Sequence, residues 1–158
     1  YISTENMLPN KNGITRASNV PVNTNVTNYK EGDILLSNIR PYFKKIWLSS
    51  KTGGCSNDVL NFRTKKAIIP FVYNLIFQDN FFDYIMTGAN GSKMPRGNKI
   101  HIMDYIFAMP STMCLIIKYC ELINPFIQKI KQIENENNYL SQLRDSLLPR
   151  LMNNQIKI

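Results

Sequence analysis

The sequence predicts an α/β (α+β) domain followed by a long C-terminal coiled-coil helix, and two contrasts along the chain support this fold class. Residues 1–110 contain all seven glycines and six of the eight prolines, whereas residues 111–158 contain no glycine. Glycine and proline at that density separate short strands and helices, while a region rich in Ile, Leu, Lys and Glu favours a long helix. We therefore expect a mixed domain over 1–110 and a helical region over 111–158.

Three short segments of the first region have the composition of strands. Residues 33–39 and 44–50 are largely apolar runs joined around Arg40 and Pro41. Residues 58–64 alternate between the two faces in the manner of a half-buried strand. These segments predict the sheet of the domain.

A helix is predicted over residues 69–89, because aromatic and aliphatic side chains recur there at helical spacing. Pro70 suits a first helical turn, and Gly88 suits a C-terminal stop. The segment 90–99 is then expected to form a loop, and residues 100–109 a strand.

Apolar residues in the second region recur at steps of three and four, with a mean period slightly below 3.5. This period is typical of a coiled-coil seam, which needs a second helix to cover it. Ser111 is expected to cap the helix, Pro125 to bend or split it, and Pro149 to end it. The predicted partner-helix interface consists of Ile116, Cys120, Ile123, Ile127, Ile130, Ile133, Leu140, Leu143 and Leu147.

The chain is strongly basic, with 19 Lys and Arg against 11 Asp and Glu, a net charge of +8 and a pI near 9.5. This excess favours a polyanionic partner, with nucleic acid ahead of an anionic membrane surface. No apolar run reaches the length of a membrane span, because "CLIIKYCELI" is short and includes Lys118 and Glu121. We expect no membrane partner.

The sequence offers little material for catalysis or metal binding. It has one histidine, three cysteines without a Cys-x-x-Cys pair, and no phosphate-binding loop of the form G-x-x-x-x-G-K-[ST]. An adenine methyltransferase would need a glycine-rich cofactor loop and an Asn/Asp-Pro-Pro-aromatic motif, and "NPFI" at 124–127 lacks the second proline. We therefore expect a non-catalytic protein with neither a metal nor a cofactor of its own, and reduced cysteines in the cytoplasm.

Five segments share a further property, which is their order along the chain: "YISTENMLPNKNGI" (1–14), "GDILLSNIRPYFKKIWL" (32–48), "GGCSNDVLNFR" (53–63), "GSKMPRGNK" (91–99) and "LSQLRDSLLPRLMNNQI" (140–156). Together they resemble the successive motifs of the specificity subunit of type I restriction-modification enzymes. The resemblance runs through essentially the whole chain. It is strongest in the second and fifth segments.

The resemblance implies a DNA target-recognition domain over 1–110 and a conserved helical spacer over 111–158. In the family, such a domain begins before the position that corresponds to Tyr1. A full-length subunit usually has two such units, each reading one half of a split DNA site, and their spacers pair as an antiparallel coiled coil. Separate methyltransferase subunits use S-adenosylmethionine to methylate adenine, and a restriction/translocase subunit cleaves DNA. We expect this chain to form a homodimer through its helix, or to pair with a second recognition unit.

With DNA as the partner, the loop 90–99 has the residues of a contact surface. Lys93 and Lys99 would neutralise phosphates, and the planar fork of Arg96 would bind guanine O6 and N7 together. A second basic and aromatic cluster follows the first predicted strand, and alternation would send its two adjacent lysines to opposite faces. The predicted DNA-binding residues are Arg96, Lys93, Lys99, Arg40, Tyr42, Lys44, Lys45 and Lys51.

One alternative function stays open at this point. The chain could instead be a coiled-coil assembly or anti-restriction protein, derived from such a subunit, that no longer binds DNA. DNA affinity that falls steeply with salt favours the first interpretation, and indifference to DNA favours the second.

Overall fold

A computed structural model describes residues 1–22 and 25–153 of the chain. It confirms the expected class at the level of a mixed α+β chain with small sheets followed by a long C-terminal helix. The chain divides into two compact units, Tyr1–Cys120 and the residues from Glu121 onward.

The first unit contains two small antiparallel sheets. Strand β1 (Thr27–Tyr29) pairs with β4 (Gly53–Cys55), and β2 (Ile34–Ser37) lies between β3 (Ile46–Leu48) and β5 (Val59–Phe62). The three predicted strands are confirmed as β2, β3 and β5. The other two strands were not predicted, because β4 consists of two glycines and a cysteine and has no apolar run.

A buried cluster joins the two sheets. Tyr29 of β1 meets Trp47 of β3 edge to face, with ring centroids 6.0 Å apart. Each large apolar side chain that is fully buried contributes about 1.5–3 kcal/mol to the free energy of folding. The N-terminal segment completes this cluster, because Ile2 donates its backbone N–H to Gly54 O at 2.9 Å. The cluster consists of Ile2, Met7, Tyr29, Leu35, Trp47, Cys55 and Val59.

The helix predicted over residues 69–89 is two helices, α1 (Ile69–Phe77) and α2 (Asp79–Thr87). The break lies at Gln78, whose backbone is extended with ψ 147°. Asp79 then occupies the first turn of α2, where the helix dipole favours a negative charge. Its carboxylate binds the ammonium groups of Lys11 and Lys44. These tertiary contacts stabilise the start of a second helix, although the apolar spacing alone predicts one continuous helix.

The strand predicted over residues 100–109 is wrong. Helix α3 (Lys99–Met103) occupies its first half, and the described residues 104–109 contain no strand. The reason is an N-cap: Asn98 Oδ1 accepts hydrogen bonds from the backbone N–H groups of Ile100 and His101 at 3.0 and 3.4 Å. An N-cap of this kind satisfies donors that have no partner inside the helix.

Helix α4 (Met113–Met152) is continuous through both prolines. The expectations that Pro125 splits the helix and that Pro149 ends it are therefore wrong, while a bend at Pro125 stays a prediction. The helix begins at Met113, so the residue directly before it is Thr112 and not Ser111 as expected. Each proline removes one backbone hydrogen-bond donor. The remaining backbone hydrogen bonds of this 40-residue helix keep it continuous. Residues 154–158, including the end of the fifth motif, lie outside the described residues.

The predicted stripe on α4 differs in exposure along its length. Ile116, Cys120 and Ile127 are buried within the chain itself, whereas Ile130 and Leu140 are exposed. The exposed part of the stripe therefore begins near residue 130. Within the described ranges, no helix combines the length and the apolar character that a membrane span requires.

A buried carboxylate fixes the entry to β2. The Asp33 side chain is 4% exposed and accepts two hydrogen bonds from Arg63, at 2.8 and 2.6 Å. The backbone N–H of Lys30 and the side-chain amide of Asn61 donate to the same carboxylate at 2.8 and 3.1 Å. Burial raises the pKa of Asp33, but these hydrogen bonds and the Arg63 charge outweigh burial and hold the pKa below its usual value.

The Asp33 network predicts a loss of stability in acid. The pKa of Asp33 is lower in the folded than in the unfolded protein. The Asp33 network therefore stabilises the fold fully above the unfolded pKa of about 3.9, and this stabilisation is lost as the pH falls through the pKa of the folded state. We expect Asp33→Asn to lower the free energy of unfolding by about 3 kcal/mol at pH 7 and to weaken its dependence on pH below 4. Urea denaturation at pH 7 and pH 3 measures both effects. Asp145→Asn, at an exposed pair with Arg144, is the matched control and should change stability by less than about 0.5 kcal/mol.

Candidate nucleic-acid interface

The connection between β2 and β3 has an unusual backbone. Arg40 and Lys44 both have left-handed conformations, with φ of 49° and 51°, and they flank a 3-10 turn at Pro41–Phe43. The backbone N–H groups of Phe43 and Lys44 donate to Arg40 O and Pro41 O at 3.0 and 2.8 Å. A left-handed residue other than glycine costs about 1–3 kcal/mol, so contacts from outside the turn must hold it.

The N-terminal segment supplies the first of these contacts. Asn10 N–H donates to Phe43 O at 2.8 Å, and Lys11 N–H donates to Lys44 O at 2.9 Å. Asn10 and Lys11 are themselves left-handed, with φ of 55° and 62°. Two strained segments therefore pair with one another, and neither can relax alone.

The glycine-rich loop supplies the second set of contacts. Arg40 N–H donates to Pro95 O at 2.7 Å, and Gly97 N–H donates to Asn38 O at 3.0 Å. Within the loop, Arg96 and Asn90 exchange two backbone hydrogen bonds of 2.8 and 2.9 Å. The two segments that the sequence indicates separately as DNA contacts are thus joined by main-chain hydrogen bonds.

The Arg96 side chain projects from this fixed backbone and is 58% exposed. Its Nη2 lies 3.4 Å from Asp58 Oδ1. Asp58 is itself held in place, because its carbonyl accepts a hydrogen bond from Asn38 N–H at 2.8 Å. The carboxylate therefore lies beside the guanidinium as an exposed ion pair, which is weak, and leaves its fork open to solvent.

Two of the predicted cations make contacts inside the protein. Lys44 Nζ lies 3.0 Å from Asp79 Oδ1, which also binds Lys11 Nζ at 2.6 Å. Lys45 Nζ donates to Thr4 O at 2.5 Å. Burial and the nearby Arg40 charge lower the pKa of Lys45. Both lysines precede β3, so strand alternation does not set their directions.

The remaining predicted residues are differently placed. Lys93 is exposed in the loop with Arg96, and Tyr42 is exposed on the β2–β3 turn. Lys99 is exposed at the first turn of α3 and lines an open cavity of about 850 Å³. Lys51 is exposed beyond the other end of β3, in the connection to β4.

Sequence reasoning missed Asp58 and the contacts of Asp79. Asp58 lies in a predicted strand segment, and its pairing with Arg96 joins residues that no local spacing rule connects. Asp79 lies in the middle of an apolar pattern that predicts one continuous helix. The weak helix propensity of adjacent Asp and Asn at 79–80 is the one local signal for the break there.

Among the described residues, no group of three His, Cys, Asp or Glu side chains could hold a metal ion. A scan against protein-family models finds no match for this chain, and a search of the curated proteins finds none either. Its function is therefore argued from the resemblance of its motifs and from the arrangement of these loops.

The close fit of Gly97 leads to a test of the loop docking. A methyl group at this position would lie 2.7 Å from Asn38 Oδ1 and 3.0 Å from side-chain atoms of Ile85 and Ile102. We expect Gly97→Ala to lower the free energy of unfolding by about 1–3 kcal/mol. It should also increase hydrogen exchange at the Arg40 amide, which donates to the loop. Ser92→Ala, at an exposed position of the same loop, should change neither quantity.

Proposed function

We propose that the chain recognises double-stranded DNA in a sequence-specific manner, as the specificity subunit of a type I restriction-modification system. In that role it directs separate methyltransferase and restriction subunits to a bipartite site. The observation that carries the proposal is the hydrogen-bonded junction between the β2–β3 turn and the loop of Arg96. The N-terminal segment and Asp58 bond to the same β2–β3 connection, so four of the five motif segments meet there.

The chemistry of the junction suits a duplex. Arg96 presents an exposed guanidinium from a fixed backbone, as bidentate binding of guanine O6 and N7 requires. Lys93 and Lys99 are exposed cations close to it in sequence, and they can neutralise phosphates. The net charge of +8 adds a long-range attraction to any polyanion.

In this proposal the chain recognises and organises, and it performs no chemistry. S-adenosylmethionine binds to the partner methyltransferase subunits, which methylate adenine. The restriction/translocase subunit supplies DNA cleavage. The proposed location is the cytoplasm, where these partners and their DNA substrate occur.

Helix α4 is proposed to bring two recognition units together. Ile130, Ile133, Leu140 and Leu143 are exposed in the single chain and follow the spacing of a coiled-coil seam. A second copy of the chain, or a second recognition unit, would cover them. Such pairing would place one recognition surface on each half of a split site.

DNA recognition by the loop predicts that its cations act differently. Arg96→Ala should cost about 1–3 kcal/mol at one base pair and relax the preference there, while non-specific binding is largely retained. Lys93→Ala and Lys99→Ala should each weaken binding to all sequences and flatten the slope of log K against log salt by about one unit. The measurement is a salt titration with specific and scrambled duplexes, with the methyltransferase subunits present.

Two outcomes would revise this assignment. If Arg96→Ala weakens binding to both duplexes equally, Arg96 is a phosphate contact and does not read a base. If the unsubstituted chain is indifferent to DNA at every salt concentration, the alternative of a coiled-coil assembly or anti-restriction protein replaces DNA recognition.

Helix pairing predicts that lysines at Ile130 and Leu140 convert a dimer into a monomer. Both side chains are exposed in the single chain, so the folded domain should be retained. A buried side chain of this size contributes about 1.5–3 kcal/mol to association. Sedimentation equilibrium measures the change in mass, and circular dichroism checks that the chain stays folded.

The matched controls lie on the opposite face of the same helix. Asn135→Lys and Asn138→Lys are each two residues from a stripe position, Ile133 and Leu140 respectively, which is a rotation of about 200°. They add the same charge and should leave the dimer intact. A monomer before any substitution contradicts the homodimer and points to a helix from another protein.

A further inference from the structure

Two adjacent aromatic rings are partly exposed at the β2–β3 turn, and the Lys45 ammonium lies 5.7 Å from the centroid of one of them, Phe43. Tyr42 is 45% exposed and Phe43 is 37% exposed, and their ring centroids lie 4.6 Å apart with the planes tilted by 53°. The preceding Pro41 is buried and anchors the turn to the domain. Adjacent exposed rings on an anchored turn form an apolar projection that water solvates poorly.

The turn cannot withdraw these rings easily. Its ends are the left-handed residues Arg40 and Lys44, and Asn10 N–H binds the carbonyl of Phe43. Arg40 N–H binds the carbonyl of Pro95 in the neighbouring loop. Moving the rings into the domain would break these hydrogen bonds. Burying them in a partner costs little conformational entropy, because each ring has only two side-chain torsions to fix.

The charges around the turn indicate the chemical class of that partner. The cations are Arg40, Lys11, Lys44 and Lys45, and the carboxylates that act on them are Asp79 and Glu5, so the local balance is positive by two. An apolar projection surrounded by positive charge is complementary to stacked bases between phosphates. Asp79 compensates part of the charge of Lys11 and Lys44, and an uncharged protein groove would offer nothing to the positive charge that remains.

We propose that Tyr42 and Phe43 form an aromatic wedge that enters the base stack of a DNA duplex and packs against a partly unstacked step. This inference rests on the proposed DNA recognition and adds a mode of binding to it. Apolar side chains inserted between base steps unstack them in many architectural proteins, and aromatic contact with a base is tolerant of sequence. The wedge would lie beside Arg96, because the two segments are hydrogen-bonded.

A mismatch assay tests the wedge without knowledge of the target sequence. The full chain, with the methyltransferase subunits present as in the salt titration above, is titrated against two mixed-sequence duplexes that differ only by one central mismatch, where unstacking costs less. A wedge should make the chain bind the mismatched duplex on the order of 10-fold more tightly. Tyr42→Ala with Phe43→Ala should abolish that preference and weaken binding by about 5- to 100-fold, while leaving the salt dependence unchanged.

Control variants separate a wedge from a general loss of aromatic surface. Phe107→Ala removes a ring that is 40% exposed elsewhere in the first unit, and Tyr139→Ala removes an exposed ring on α4; both should retain the preference. Tyr42→Phe should retain it as well, because the ring face is kept. Should the double alanine variant unfold, Tyr42→Ala alone removes one ring, keeps Phe43, and should reduce the preference.

Each remaining result would overturn the wedge. Binding to both duplexes with equal affinity, unaffected by the alanine variants, removes the wedge and leaves DNA recognition in place. Failure to bind either duplex removes both proposals together. If the alanine variants bind DNA normally but lose methyltransferase subunits on co-purification, the two rings are a protein-docking surface.

Discussion

The strained turn between β2 and β3 is the feature on which the arrangement of the other loops depends. Its left-handed residues, Arg40 and Lys44, are held by hydrogen bonds from segments that are distant in sequence. Pairing with the N-terminal segment and the glycine-rich loop stabilises the turn, and the turn in return fixes their positions. Strain of this kind persists only where its surroundings overdetermine it, and it is concentrated at functional sites.

Charge and shape act together at this turn. Asp79 holds Lys11 and Lys44 at the start of α2, while Asp58 lies 3.4 Å from the guanidinium of Arg96. Three cations of this surface therefore lie beside fixed carboxylates, and the surface still has an excess of positive charge.

Sequence reasoning identified β2, β3 and β5 because their apolar runs report burial directly. It identified the loop around Arg96, but not its docking, which depends on backbone groups that any residue carries. It failed at α3, where the cap by Asn98 outweighs the strand-like composition of the following residues. It also failed at Gln78 and at the prolines of α4, since tertiary contacts and helix length decide those boundaries. Local pattern predicts burial well and long-range pairing poorly.

The hydrogen bonds that Arg40, Phe43 and Lys44 make with the N-terminal segment and the glycine-rich loop run between main-chain atoms. A hydrogen bond between main-chain atoms does not involve the side chains of the two residues that it joins. Substitutions at outward-facing positions such as 42, 43, 93 and 96 therefore leave these hydrogen bonds in place. A chain with other side chains at these positions would keep the same scaffold and display a different surface chemistry, so a change of binding preference need not cost the fold its stability.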